Sequence, residues 1–271
     1  MTSAGVFRSL AIPTLVVLLM VGSAAAQPAP KPYEPQVGQS GKDVVWVPTP
    51  QALVDRMLDM ARVRVDDYVI DLGSGDGRTV ITAAKRGIKA HGIEYNPDLV
   101  ELSKRNAAAA GVSDLATFVE GDIFKSDFSQ ATVITLFLLS DLNLKLRPIL
   151  LEMKPGTRVV SNTFDMGDWE PDDRISAENC SAYCKAMFWV IPAKVAGTWQ
   201  LPQGELALQQ KYQMLTGTLK SANESISITN GKMLGEHITF MVGDRVFRGK
   251  VNGDKMEGVF ATETKWQATR R

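Results

Sequence analysis

The chain has 271 residues, 45% hydrophobic and 22% charged, with 30 basic and 30 acidic side chains and a formal net charge of +0. That composition suits an ordinary soluble protein with room for one large domain and one small one. No basic run or stripe appears, so nucleic-acid binding has little electrostatic support.

Residues 1–26 read as a secretory signal peptide. Arg8 forms a short positive region, Leu10 to Val21 an apolar core of about 12 residues, and Ala24-Ala25-Ala26 an A-x-A cleavage site before Gln27. The core is shorter than the ~20 residues of a membrane span. The expected location is therefore exported or periplasmic, with an uncleaved membrane anchor as the alternative. Without the leader, 29 basic residues stand against 30 acidic, a balance of −1. Residues 27–43, carrying Pro28, Pro30, Pro32 and Pro35, read as an extended linker into a first helix, Gln51 to Ala61.

Val69-Ile70-Asp71-Leu72 reads as a buried strand that ends in an acid and breaks into the glycine turn Gly73-Ser74-Gly75-Asp76-Gly77 before a helix, Thr79 to Arg86. Glycines at this place let backbone N–H groups approach a ligand at the carboxyl edge of a parallel sheet. Asp71, two residues before the first glycine, would repel the pyrophosphate of a dinucleotide, and the spacing is G-x-G-x-G, with Arg78 where the third dinucleotide glycine belongs. S-adenosylmethionine carries an ammonium and a sulfonium and no phosphate, so this acid favours it over NAD.

Lys89 to Glu94 reads as a second strand ending in an acid, 17 residues after Gly77, where a carboxylate can accept both ribose hydroxyls. A helix from Pro97 to Ala110 leads to a strand, Ala116 to Glu120, and then to Gly121-Asp122-Ile123. Asp122 can accept from an adenine amino group, with Ile123 beside the ring; a Gly-Asp turn is the plainer reading. The apolar run Ala131 to Leu139 reads as a central strand, Asn143 to Met153 as a helix, and Lys154-Pro155-Gly156 turns the chain into the strand Arg158 to Asn162.

In order and spacing, Asp71 to Gly77, Glu94 and Asp122 resemble the class I S-adenosylmethionine-dependent methyltransferases, over roughly residues 44–192. Within that superfamily the chain is most similar to the protein-lysine methyltransferases related to the ATP synthase c-subunit lysine methyltransferase. The matching stretches are Val47 to Pro50, Asp71 to Arg78, Leu138 to Pro148 and Phe164 to Trp169. The resemblance implies an α/β fold, a doubly wound, mostly parallel seven-strand sheet, followed here by a small antiparallel β unit, and S-adenosyl-L-methionine as cofactor. It places Thr49 near the cofactor's methionine end and makes Phe137 to Asn143 the wall of a channel for a target amine. The expected cofactor contacts are Thr49, Asp71, Gly73, Ser74, Gly75, Gly77, Glu94, Tyr95, Asp122, Ile123 and Leu138. No general base can be named. Asp141 and Asn143 are candidate polar contacts to an incoming lysine, and Asp141 is equally a helix N-cap. The N-P-P-[YF] signature of amide and adenine methyltransferases is missing after the central strand, which argues against nucleic-acid bases as substrate.

Cys180 and Cys184 are the only cysteines; at i,i+4 on a helix they would stand near the separation a disulfide needs, two unrelated thiols being the alternative. His91 and His237 lie far from them, so no metal site and no hydrolase triad is expected. Ala186 to Pro192 reads as a late strand of the sheet. From 193 to 271 short alternating runs separated by glycine or asparagine turns, Asn230-Gly231 among them, suggest an antiparallel meander or small open barrel. Gly197-Thr198-Trp199 resembles the G-x-W of lipocalin-like barrels. This unit either packs against the catalytic domain or recognises a protein or envelope component.

Two classes of function follow. One is a methyltransferase acting on a protein lysine or a small-molecule amine, by orientation and desolvation of the amine. The other is an exported binding module without catalysis, including envelope or membrane association through the leader. S-adenosylmethionine is made and kept inside cells, so the pocket and the leader point to different compartments. Three resolutions are available: cofactor supply outside, retention at a membrane, or binding without turnover.

Overall fold

Apolar residues of the expected strands alternate between two faces, and each face finds its own cover. In a computed structural model of the chain, residues 1–2, 4–5, 33–178, 180–222, 224–260 and 264–271 are described, and Tyr33–Arg271 form one unit. The apolar core of the leader, its cleavage motif and residues 27–32 lie outside the described residues. The elements run α1 (Gln51–Met60), β1 (Tyr68–Leu72), α2 (Arg78–Lys85), β2 (Lys89–Glu94), α3 (Pro97–Ala109), β3 (Ala116–Glu120), β4 (Val133–Leu136), α4 (Ser140–Leu150), β5 (Arg158–Asn162), β6 (Asp173–Ser176) and β7 (Lys185–Val190). They make a seven-stranded sheet in the order β3-β2-β1-β4-β5-β7-β6. The first five strands are parallel, and β7 is antiparallel to both β5 and β6. This is the doubly wound, mostly parallel architecture expected from the sequence.

Val69, Ala90, Val133 and Val160 face one way, into a core shared with Leu53, Leu58, Val80 and Val100 of the first three helices. Their chain neighbours Ile70, Ile134 and Val159 face the other way, against Leu146 and Leu150 of α4 and the indoles of Trp169 and Trp189. The period of two along each strand is what divides the two layers. Helix α3 starts as its sequence dictates: Pro97 takes the first helical position and the Asn96 side chain accepts from the Asp98 N–H at 2.9 Å. Helix α4 begins at Ser140, three residues earlier than expected. Leu139, in extended conformation, is its N-cap, so Asp141 does not cap it; the acid sits in the first turn, where the positive helix end favours a carboxylate.

The remaining strands are β8 (Gly197–Leu201), β9 (Gly204–Lys211), β10 (Met214–Lys220), β11 (Ser225–Leu234), β12 (His237–Val242), β13 (Arg245–Asn252), β14 (Lys255–Val259) and β15 (Lys265–Arg270). Each pairs antiparallel with the next, and β15 returns to β8, so the unit is a closed eight-stranded barrel and not an open one. Trp199, Leu206, Met233, Phe240, Phe247 and Trp266 fill the interior, as side chains can in a barrel of eight strands. The Arg270 guanidinium lies 4.4 Å from the Trp199 ring centre and donates to the carbonyls of Lys194 and Ala196, which fastens the seam. Asn230-Gly231 is not a hairpin turn. Asn230 takes φ 51° within β11 and the register shifts on both neighbouring strands, so the pair forms a bulge.

The barrel packs against the sheet through the tip of its β9–β10 hairpin. Trp169 donates its indole N–H to Gln213 at 2.9 Å and stacks on Tyr212 at 5.7 Å between ring centres, while the Tyr212 hydroxyl donates to Asp168 at 2.8 Å. Gly235 of the barrel meets Gly156, which precedes β5 and so lies at the amino edge of the parallel strands.

Candidate active site

The glycine turn after β1 is held in a conformation that L side chains rarely adopt: Gly73, Gly75 and Gly77 have φ of 80°, 55° and 81°. It opens a cleft of about 1070 Å³, counting space open to solvent, at the carboxyl ends of β1, β2 and β4. Thr49, Asp71, Gly73, Ser74, Gly75, Glu94, Tyr95, Asp122, Ile123 and Leu138 all line this cleft. Gly77 does not. A Cβ there would stand 2.8 Å from the Phe118 ring and 2.9 Å from Ser103, so this glycine serves the packing of α2 and α3 beneath the turn.

Glu94 is fixed by two backbone donors, the Gly75 N–H to Oε2 and the Asn96 N–H to Oε1, both at 2.9 Å. A carboxylate has about four acceptor sites, so two remain for vicinal hydroxyls of a sugar. Asp71 is buried and accepts from the Thr135 hydroxyl at 2.6 Å. Burial pushes its pKa up to about 7, and the Glu94 charge adds to the rise, against the hydrogen bonds of Thr135 and Thr79. Such an acid is poised to gain from a cation placed beside it. Asp122 accepts from the Phe124 N–H at 3.0 Å and from the Lys42 ammonium at 2.9 Å, which holds its carboxyl below the usual range. Thr49 accepts from the Asn162 amide at 3.3 Å and, through its carbonyl, from Arg78 at 3.0 Å.

The segment read as the end of an extended linker is part of this cleft. The backbone of Gln39 to Trp46 folds into a narrow loop, with Gly38 N–H donating to the Trp46 carbonyl and Trp46 N–H to Gln39. Trp46 lies over the glycine turn, its indole nitrogen 2.9 Å from where a Gly75 Cβ would stand. The apolar run Val44-Val45-Trp46-Val47 was the available signal, and the prolines before it obscured it. Arg78 and Thr79 also line the cleft without a sequence signal that assigned them to it, and Phe137, expected in the wall of the amine channel, lines it as well. Asn143 does not reach it. This side chain is fully buried and its amide donates to Ser161 and to the carbonyls of Phe164 and Asp165, so it braces a turn and does not offer itself to an amine. Asp141 is exposed and outside the cleft. The two cysteines are bridged, with Cα atoms 5.7 Å apart, in the loop between β6 and β7 and not on a helix.

The cleft suits a nucleoside that carries positive charge. Three carboxylates stand at strand ends, the buried Ser74 hydroxyl has no hydrogen-bond partner among the described residues, and the cations Arg78 and Lys42 are each already paired with an acid, Asp76 and Asp122. The carboxylates would repel a pyrophosphate, and neither cation is free to pair with one.

Comparison with known proteins agrees. The ANTKMT methyltransferase domain matches residues 71–173. A protein-lysine N-methyltransferase of Saccharolobus islandicus is 47% identical over 139 residues, half of this chain and 86% of that protein. The chain belongs to the protein-lysine methyltransferase family. Among other members, the ATP synthase c-subunit lysine N-methyltransferase of Mus musculus is 39% identical over 128 residues, and this chain spans about half of its length, 51%. A solved structure described as an RNA methyltransferase from Salinibacter ruber, in complex with S-adenosyl-L-homocysteine, is 50% identical, with a TM-score of 0.52 over 55% of this chain and 96% of that one. The enzyme is thus an S-adenosylmethionine-dependent methyltransferase, and a non-catalytic binding module is not favoured. The family match ends before the Cys180–Cys184 loop and the barrel.

Proposed function

We propose that the chain methylates the side-chain amine of a lysine in a protein substrate outside the cytosol. The observation that carries the lysine acceptor is the 47% identity to a protein-lysine N-methyltransferase across 86% of that relative. When bound, the cofactor would supply an electrophilic methyl on a sulfonium sulfur, with a neutral thioether as the leaving group for an attacking nitrogen. The rest falls to the chain. A lysine ammonium, with pKa near 10, must lose a proton before it can attack, and the apolar wall of Phe137 and Leu138 favours the neutral amine by desolvation. The glycine turn and Glu94 are the groups that would hold the sugar of the cofactor in the cleft that Phe137 and Leu138 also line.

The export reading rests on the leader and gains support from the Cys180–Cys184 disulfide, a bond that persists in oxidising compartments. Among the described residues no helix is long and apolar enough to cross a membrane. A protein of the cell envelope is the substrate such a location offers, with the leader as the means of any membrane association.

The test supplies the purified protein with methyl-labelled S-adenosylmethionine and, in parallel, lysine-rich polypeptide and transfer RNA. Label on lysine Nζ, located by mass spectrometry, is expected; label in RNA alone would replace this reading with that suggested by the Salinibacter relative's description. Cell fractionation checks location, and a protein found only in the cytosol with its leader intact would refute export.

A further inference from the structure

Three aromatic rings from three separate segments meet beside the cofactor cleft. Phe137, which lines it, follows β4; Phe164 follows β5; Tyr183 precedes β7. Ring centres are 5.2 Å apart for Phe137 and Tyr183, 6.2 Å for Phe137 and Phe164 and 6.5 Å for Phe164 and Tyr183. All three segments sit at the carboxyl edge of the parallel strands: β6 and β7 run antiparallel there, with Ser176 opposite Lys185 and Ala186 opposite Asn162.

Tyr183 is unlike the other two. It is 42% exposed, yet its backbone holds φ 54°, a left-handed conformation costly for a tyrosine. The Cys180–Cys184 bridge closes a five-residue loop around it, and the Ala177 N–H donates to the Cys184 carbonyl at 2.8 Å to fasten the base. A disulfide and an unfavourable backbone are thus devoted to holding one exposed ring against the wall of the cleft. Charge in these segments has both signs. Asp141, Asp165 and Glu178 are exposed acids close in sequence to the three rings, and the nearest bases along the chain are Lys145, whose ammonium sits over the Phe124 ring, and Lys185.

We infer that Tyr183, presented by the Cys180–Cys184 loop, is a specificity residue that completes with Phe137 and Phe164 an aromatic entrance for the ammonium or methylammonium head of the target side chain. The inference rests on the amine acceptor proposed above. Aromatic faces attract such cations, most strongly when water is excluded, and quaternary ammonium groups are a preferred guest of aromatic clusters. The entrance is completed by a segment beyond residue 173, where the match to the methyltransferase domain ends.

The experiment titrates N-acetyl-trimethyllysine methylamide calorimetrically into the full-length protein saturated with S-adenosylhomocysteine. Wild type should bind, Tyr183→Ala should bind roughly three- to thirty-fold more weakly, and Tyr183→Phe should stay within about two-fold of wild type. The Cys180→Ser/Cys184→Ser variant should weaken binding in the same direction, and reductant should weaken wild type while leaving that variant unchanged. No binding by wild type, equal binding by Tyr183→Ala, or a loss that Tyr183→Phe shares in full would overturn the inference. In a parallel methylation assay, Tyr183→Ala should raise KM for a lysine peptide with little change in kcat. Normal probe binding without methylation of any lysine peptide would instead overturn the lysine acceptor and leave the aromatic entrance standing.

Discussion

Replacing Asp71 by asparagine separates two consequences of one buried carboxyl. In the unliganded protein its pKa stands at about 7, raised above the ordinary 3.8 chiefly by burial. A cationic ligand binds the ionised form, so affinity falls as the group takes up a proton. The ionised fraction is about one half at pH 7, about one eleventh at pH 6 and about one hundredth at pH 5, and affinity for S-adenosylmethionine should drop in that proportion from its plateau above pH 8. Stability moves the other way. A folded pKa above the unfolded one gives a contribution that is complete below about pH 4 and is lost as pH rises through 7. By pH 8 the charge costs the unliganded fold up to about 4 kcal/mol. Asp71→Asn keeps an acceptor for the Thr135 hydroxyl and carries no charge, so it should melt several degrees higher than wild type at pH 8, bind the cofactor weakly, and show no dependence of that binding between pH 5.5 and 8.5. Calorimetric titration across that range, with thermal melts of both proteins, measures each part. A flat affinity profile in wild type, or the same slope in Asp71→Asn, would refute the role assigned to this carboxylate.

Other perturbations test the neighbouring parts. Glu94→Gln keeps one acceptor where the loop needs two and sets an amide donor against a backbone N–H, so cofactor affinity should fall by about 1.5–3 kcal/mol, read by the same titration. Gly77→Ala forces a Cβ against Phe118 and Ser103 at φ 81° and should lower stability by about 1–3 kcal/mol in denaturant melts, with cofactor affinity preserved in the folded protein because the residue lies outside the cleft. Lys42→Met frees the Asp122 carboxylate for an adenine amino group, so affinity should rise; a fall would mean that the ammonium contributes directly to holding the ligand. Trp169→Ala removes the indole to which the barrel hairpin docks and should cost about 3–5 kcal/mol, with a separate barrel transition appearing in the melt.

Much of the site was legible because its chemistry is local. A strand that ends in an acid, a glycine turn and a helix follow one another directly, and the acids after the second and third strands keep the same relation to the sheet edge; Asp71, Glu94 and Asp122 therefore converge once the strands lie parallel. What could not be read depends on contacts between distant segments. Residues 39–43 have the composition of a linker, and only the folding of this segment back with Trp46 over Gly75 makes them a wall of the cleft. Asn143 occupies a helix turn where it could point either way, and the carbonyls of Phe164 and Asp165 decide that it points inward.

The sequence alone determined the layered α/β fold and the class of cofactor, because periodicity and charge at strand ends act over a few residues. Tertiary structure decided the rest. Closure of the barrel joins Trp199 to Arg270, docking of the barrel joins Trp169 to Gln213, and the aromatic entrance joins Phe137 to Tyr183. Each of these pairs is separated by more than forty residues of chain, and no local pattern records which partner will arrive. Only burial of the two sheet faces and pairing of the last barrel strand with the first bring them together.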